Sequence, residues 1–162
     1  MKYKKILVLT NDTELEKAPL FAAKMAKAFG AELTVCHVVD MEEGLINERI
    51  VYLPEASAYG GKILGERIPV SPTLISKMKK SLIREGINIT YGVIETLSDY
   101  DIEIKSVVLT GNPAEEIIKF AKVNNFDLVV IGQSKRNLLS RIIWKTIPEK
   151  IKKRIPCSMI HW

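Results

Sequence analysis

Eight basic side chains fall between Lys135 and Arg154 of this 162-residue chain: Lys135, Arg136, Arg141, Lys145, Lys150, Lys152, Lys153 and Arg154. Glu149 is the only acid among them. A cluster of one sign suits an anionic ligand, and it equally suits a solvated face. The other residues capable of chemistry are scattered. Cys36 and Cys157 each lie in an apolar segment with no CxxC, and read as small buried hydrophobes. His37 and His161 are far apart, so no zinc ligand set is visible. His37 stands in an apolar run and reads as a packed or hydrogen-bonded core histidine. No nucleophile and base recur at a readable spacing, and neither a Walker motif nor a metal motif occurs. The expectation is a protein that binds a ligand and does not catalyse a reaction.

The elements that must carry these residues alternate between two periods. Lys5 to Thr10 is a short apolar run bounded by turn formers, which reads as a buried strand. Thr13 and Glu16 have capping-box spacing, and Leu15, Ala18, Ala22, Met25, Ala26 and Phe29 recur at helical spacing up to Gly30, a natural stop. Pro19 lies too deep for the first turn of that helix, so it either kinks the helix or moves its start to about Ala18. Glu32 to Val39 is a second strand, which completes a right-handed βαβ unit. Met41 to Pro72 holds Gly44, Pro54, Gly60, Gly61, Gly65, Pro69 and Pro72, and reads as a long excursion. Pro72 to Arg84 reads as a basic amphipathic helix ending near Gly86. Asn88 to Tyr100 is ambiguous between a strand and a short helix. Ile102 to Leu109 is a third strand. Asn112 is an N-cap with Pro113 at the first helical position and Glu115 and Glu116 in the first turn. That helix runs to about Val123. Phe126 to Ile131 is a fourth strand ended by Gly132. A helix through Ile151 follows, with Pro148 in its first turn and Thr146 near its N-cap. Pro156 to Trp162 is a last strand.

This alternation is that of a doubly wound α/β sheet in one domain over residues 1–162. Apolar residues make up 47% and charged residues 27%, an ordinary globular balance that argues against disorder. The stretch Met1 to Thr10 starts charged and turns apolar like a signal peptide. It is too short for one, and Asn11-Asp12-Thr13 follows in place of small cleavage-site residues. No apolar run approaches the roughly 18 residues of a membrane span. The expectation is a cytoplasmic protein with no membrane partner.

On these segments the chain resembles the universal stress protein family. Lys4 to Asn11 looks like the family's opening strand, which commonly ends in Pro-Thr-Asp. Leu33 to Val39 looks like its second strand, Gly111 to Ile117 like its Gly-x-Pro helix entry and Asp127 to Gly132 like its fourth strand. Pro156-Cys157-Ser158-Met159-Ile160 looks like its Pro-Cys-Pro-Val ending, with Ser158 in place of the second proline. The resemblance does not cover Met41 to Tyr100. It implies an open parallel five-stranded sheet of order 3-2-1-4-5 with helices on both faces. The ligand crevice then lies where strands one and four diverge, at Thr10, Asn11, Val38 and Gly132.

Family members that bind ATP carry Gly, two residues, Gly, nine residues, then Gly and Ser or Thr. Glycines let backbone N–H groups approach phosphates, and the hydroxyl adds a donor at a helix N-terminus. Here Gly132 and Thr146 fill the first and last positions, while Lys135 and Lys145 replace the second and third glycines. Leu9 and Asn11 replace the proline and aspartate of the first strand. Each lysine is either a phosphate contact or an obstruction to backbone approach. Asp12 and Asp40 are candidate magnesium neighbours. Trp144, just before the third glycine position, reads as a packing residue.

The resemblance thus implies an adenine nucleotide, with magnesium, as ligand and a homodimer through strand 156–162 as assembly. A ligand-free dimeric interaction scaffold of the same fold is the alternative. A nucleic-acid binder, suggested only by the basic stretch, is the weaker one, because no recognised nucleic-acid motif accompanies it.

Overall fold

The computed structural model of the chain describes residues 3–10, 17–40, 72–132 and 147–161. The strands are β1 (Lys5–Leu9), β2 (Glu32–Val39), β3 (Ile104–Thr110), β4 (Leu128–Ile131) and β5 (Ser158–His161). They form one sheet of order β3-β2-β1-β4-β5, with every neighbouring pair parallel. The helices are α1 (Lys17–Phe29), α2 (Pro72–Thr96) and α3 (Pro113–Asn124), with a further helical stretch at 147–154.

A parallel sheet covered on both faces needs strands that are apolar on both sides. β1, β2 and β4 meet that need. Leu7, Leu9, Cys36, Val38, Val129 and Ile131 face α3 and 147–154, where they bury Ala114, Ile117, Ala121, Ile147 and Ile151. Ile6, Val8, Leu33, Val35, Leu128 and Val130 face α1 and α2, where they bury Ala22, Ala26, Val93 and Leu97. Pro19 falls in the first described turn of α1 and is buried. The Thr13 cap lies outside the described residues, as does the excursion at 41–71. Gly30 ends α1 at φ +60°, in the left-handed region.

One expectation is overturned. The helix that starts at Pro72 does not stop near Gly86, and Asn88 to Thr96 is neither strand nor separate helix. Both belong to α2, which runs through Gly86 and Gly92 to Thr96 and is followed by a 3-10 turn at Ser98–Tyr100. Its middle is rich in β-branched residues and glycine, so local propensity opposes the helix. Packing decides instead. Met78, Gly86, Ile89, Val93 and Leu97 recur at helical spacing, and all are buried. The buried Thr90 hydroxyl donates back to Ile87 O at 2.9 Å, so it is satisfied within the helix.

α3 forms as its start signals require. Asn112 Oδ1 accepts the Glu115 N–H at 3.3 Å, and Pro113 opens the helix. At the end of the sheet where the strands begin, Asp127 Oδ2 accepts the N–H groups of Lys4 and Lys5 at 2.8 and 2.9 Å. The Ser158 N–H donates to Asp127 O at 3.0 Å. One residue therefore joins the entries of β1, β4 and β5. Among the described residues no helix is long and apolar enough to cross a membrane.

Candidate functional site

The helix that follows β1, α1, and the helical stretch that follows β4, at 147–154, lie on opposite faces of the sheet. Adjacent strands whose chains depart in opposite directions leave a crevice beyond their carboxyl ends. Leu9 of β1 is in register with Ile131 of β4 on one side and with Cys36 of β2 on the other. Thr10 and Gly132 therefore stand one residue beyond, at neighbouring strand tips, and both are buried. The Thr10 N–H donates to Cys36 O at 2.9 Å, so the ladder with β2 continues one residue past β1. Val38 follows two residues after Cys36 and packs into the core beneath α3.

Three of the residues expected at the crevice, Thr10, Val38 and Gly132, are thus brought to the same end of the sheet. Asn11, Lys135, Lys145 and Thr146 lie outside the described residues, as do Asp12 and Trp144. Asp40 follows the end of β2, partly exposed.

Two tertiary contacts at this end are not stated by any motif. Gly111, at φ +133°, donates its N–H to Val39 O at 3.0 Å and ties the exit of β3 to that of β2. A side chain there would be strained, and its Cβ would stand 3.2 Å from Glu116 Cγ. The glycine before Asn112-Pro113 was the available signal. The second is His37, whose ring Nδ1 lies 2.8 Å from the Thr10 carbonyl oxygen. The histidine is buried, as an apolar strand suggests, and its ring reaches the strand end that borders the crevice.

Leu9 and Ile131 are fully buried just beneath the strand tips, and Gly132 stands at one tip without a side chain. A glycine there can leave the backbone open to an anion. The thiols are poorly suited to nucleophilic chemistry. Burial pushes the Cys36 thiol up to about 12. Burial is also the main cause that raises Cys157, with the Asp127 charge adding to it and a backbone hydrogen bond opposing it. Among the described residues, no group of three or more His, Cys, Asp or Glu side chains could hold a metal ion.

Comparison with known proteins agrees with this architecture. The sequence profile of the universal stress protein family matches residues 2–160. The stress response protein NhaX of Bacillus subtilis is 31% identical over 165 residues, covering 96% of this chain and 95% of its own. The universal stress protein MJ0531 of Methanocaldococcus jannaschii is 28% identical over 159 residues, covering 98% and 81%. Among solved structures, the universal stress protein UspA from Lactobacillus plantarum superposes with a TM-score of 0.67 at 19% identity, covering 99% of this chain and 98% of that one. With the profile matched over nearly its whole length, this chain belongs to the universal stress protein family.

Proposed function

We propose that this chain is a stress-response protein that binds an adenine nucleotide in the crevice between β1 and β4 and signals by binding, without catalysis. The observation that carries the reading is the placement of Thr10 and Gly132 at adjacent strand tips, with the helices that follow β1 and β4 on opposite faces of the sheet. Proteins of the same fold support the ligand class. They include a universal stress protein in complex with cAMP, one from Archaeoglobus fulgidus in complex with dAMP and a family protein from Arabidopsis thaliana with AMP bound. These are 17%, 16% and 15% identical, with TM-scores of 0.52, 0.52 and 0.54, so the ligands are theirs and the transfer is our reading.

In this reading the base lies against the ends of β1 and β2 at Thr10, Asn11 and Val38. Its phosphates, with magnesium for a triphosphate, lie toward Gly132, Lys135, Lys145 and Thr146. Gly132 keeps the backbone open to a phosphate, whereas the lysines bring charge at the expense of space. Mass spectrometry of the protein purified without added ligand tests the reading. A stoichiometric adenine nucleotide is the expected result. A ligand-free protein that also fails to take up added AMP or ATP leaves the scaffold alternative.

The proposal includes a homodimer. β5 is an edge strand, and an edge offers unpaired backbone groups to a second chain. Two copies of strand 156–162 would pair antiparallel across a twofold axis. Light scattering at micromolar concentration should give the dimer mass, and a monomer mass removes this part.

A further inference from the structure

His37 lies two residues before the end of β2, next to Cys36 and Val38, which face the α3 side of the sheet. The alternation of a strand therefore turns His37 toward α2. Two elements of the described residues meet at its ring. On one side Nδ1 lies 2.8 Å from the Thr10 carbonyl oxygen. A carbonyl oxygen only accepts, so Nδ1 must carry a hydrogen, whether the ring is neutral or charged. On the other side is Gly86 of α2. A Cβ at that position would stand 2.9 Å from His37 Cδ2 and 3.1 Å from the nearest methyls of Val39 and Val108. Helix α2 thus approaches the ring as closely as a residue without a side chain allows. Val108 is also the register partner of His37 on β3, so the ring is bounded by its neighbouring strand as well.

Thr10 is the first residue after β1, and its N–H is already held by Cys36 O at 2.9 Å. The peptide unit containing its carbonyl is planar, so a partner that fixes the carbonyl oxygen fixes the plane of that unit. We propose that His37 is the positioning residue of the crevice. Its Nδ1–H holds the Thr10 carbonyl and sets the border at the end of β1, while α2 holds the ring in place through Gly86. The inference rests on the reading of the crevice as the ligand site. His37 acts through Thr10, and the helix that follows residue 71 thereby reaches the crevice through one side chain.

The test uses the full chain labelled with ¹³C and ¹⁵N. A long-range proton–nitrogen spectrum of the parent should show a protonated Nδ1 on His37. A bare Nδ1 overturns the proposal, and this measurement needs no variant. Three substitutions then vary the donor. His37→Asn places its amide nitrogen where Nδ1 was. His37→Gln places it one bond farther out, and His37→Leu removes it. In the Gln and Leu variants the Thr10 carbonyl ¹³C resonance should move upfield relative to the Val8 carbonyl of the same sample, as a carbonyl carbon does when its oxygen loses a hydrogen bond. His37→Asn should keep the parent position, and AMP affinity should follow the same order. An unchanged Thr10 carbonyl shift in all three variants, or an Asn variant that behaves like Leu, overturns the proposal. If the carbonyl shift follows the donor while neither parent nor variants bind AMP, the positioning role stands and the nucleotide reading falls.

Discussion

Substituting the two glycines of α2 by alanine should move stability in opposite directions. At Gly86 the added Cβ meets His37 Cδ2 at 2.9 Å and methyls of Val39 and Val108 at 3.1 Å. Carbon atoms prefer about 3.5–4.0 Å, so the sheet residues or the helix must give by at least ~0.4–0.6 Å. Overpacking of this kind typically costs about 1–3 kcal/mol. Alanine returns about 0.8–1.0 kcal/mol over glycine inside a helix. The net for Gly86→Ala is a destabilisation of about 0–2 kcal/mol. At Gly92, in the same helix, a Cβ meets nothing within 4 Å. Only the propensity gain remains there, so Gly92→Ala should stabilise by about 1 kcal/mol. The two variants should therefore differ by about 1–3 kcal/mol, read as a difference in urea midpoint at unchanged m-value. If Gly86→Ala proves as stable as Gly92→Ala, α2 does not depend on a bare backbone beside His37, and the packing argument fails.

Other perturbations test other parts of the account. Asp127→Ala removes the acceptor shared by the N–H groups of Lys4 and Lys5 and should lower stability by about 1–2 kcal/mol, the low end for bonds to an exposed charged group. A loss within error in thermal or urea unfolding would show that the join between β1 and β4 is energetically idle. The Cys36 thiol ionises at about 12 in the fold against an ordinary value of 9.0. The unfolded chain therefore loses this proton first, so the contribution is intact below pH about 9 and is lost as pH rises toward about 12. Cys36→Ser should flatten that alkaline decline, and an identical decline in the variant rejects the assignment. Native thiol labelling should modify the half-buried Cys157 well before Cys36, and equal rates contradict the burial of Cys36. For Lys135 and Lys145, calorimetry with ATP and magnesium separates the two readings. As phosphate contacts, each should lose roughly 1.5–3 kcal/mol of binding on substitution by alanine or glycine. As obstructions, their glycine variants should bind ATP more tightly than the parent, with alanine between, and glycine variants that bind no better reject obstruction.

The parts of the fold that were legible share one property: their local signal and their tertiary role agree. β1, β2 and β4 are covered on both faces, so they read as continuous apolar runs, and Glu32–Val39 agrees with its expected bounds. Asn112-Pro113 starts α3 because cap chemistry is local. Gly86 misled because local signal and tertiary role disagree there. Glycine is a common local stop, but here it serves a contact with β2 and β3 that is invisible to any window along the chain. The crevice was legible as topology, since strand order alone brings Thr10, Val38 and Gly132 together. The bond from His37 to Thr10 joins residues 27 apart and depends on side-chain direction, so His37 could be read as a core residue and no more.

The central claim is that an adenine nucleotide binds where β1 and β4 diverge, and a titration of the ¹⁵N-labelled chain with AMP, followed by amide chemical shifts, tests both the binding and the place. Saturable shifts should concentrate at Thr10, Val38 and Gly132. The amides of Lys5 and Asp127, at the opposite end of the same strands, should stay still. Saturable shifts centred on Lys5 and Asp127, or no shifts at millimolar AMP, would contradict the account.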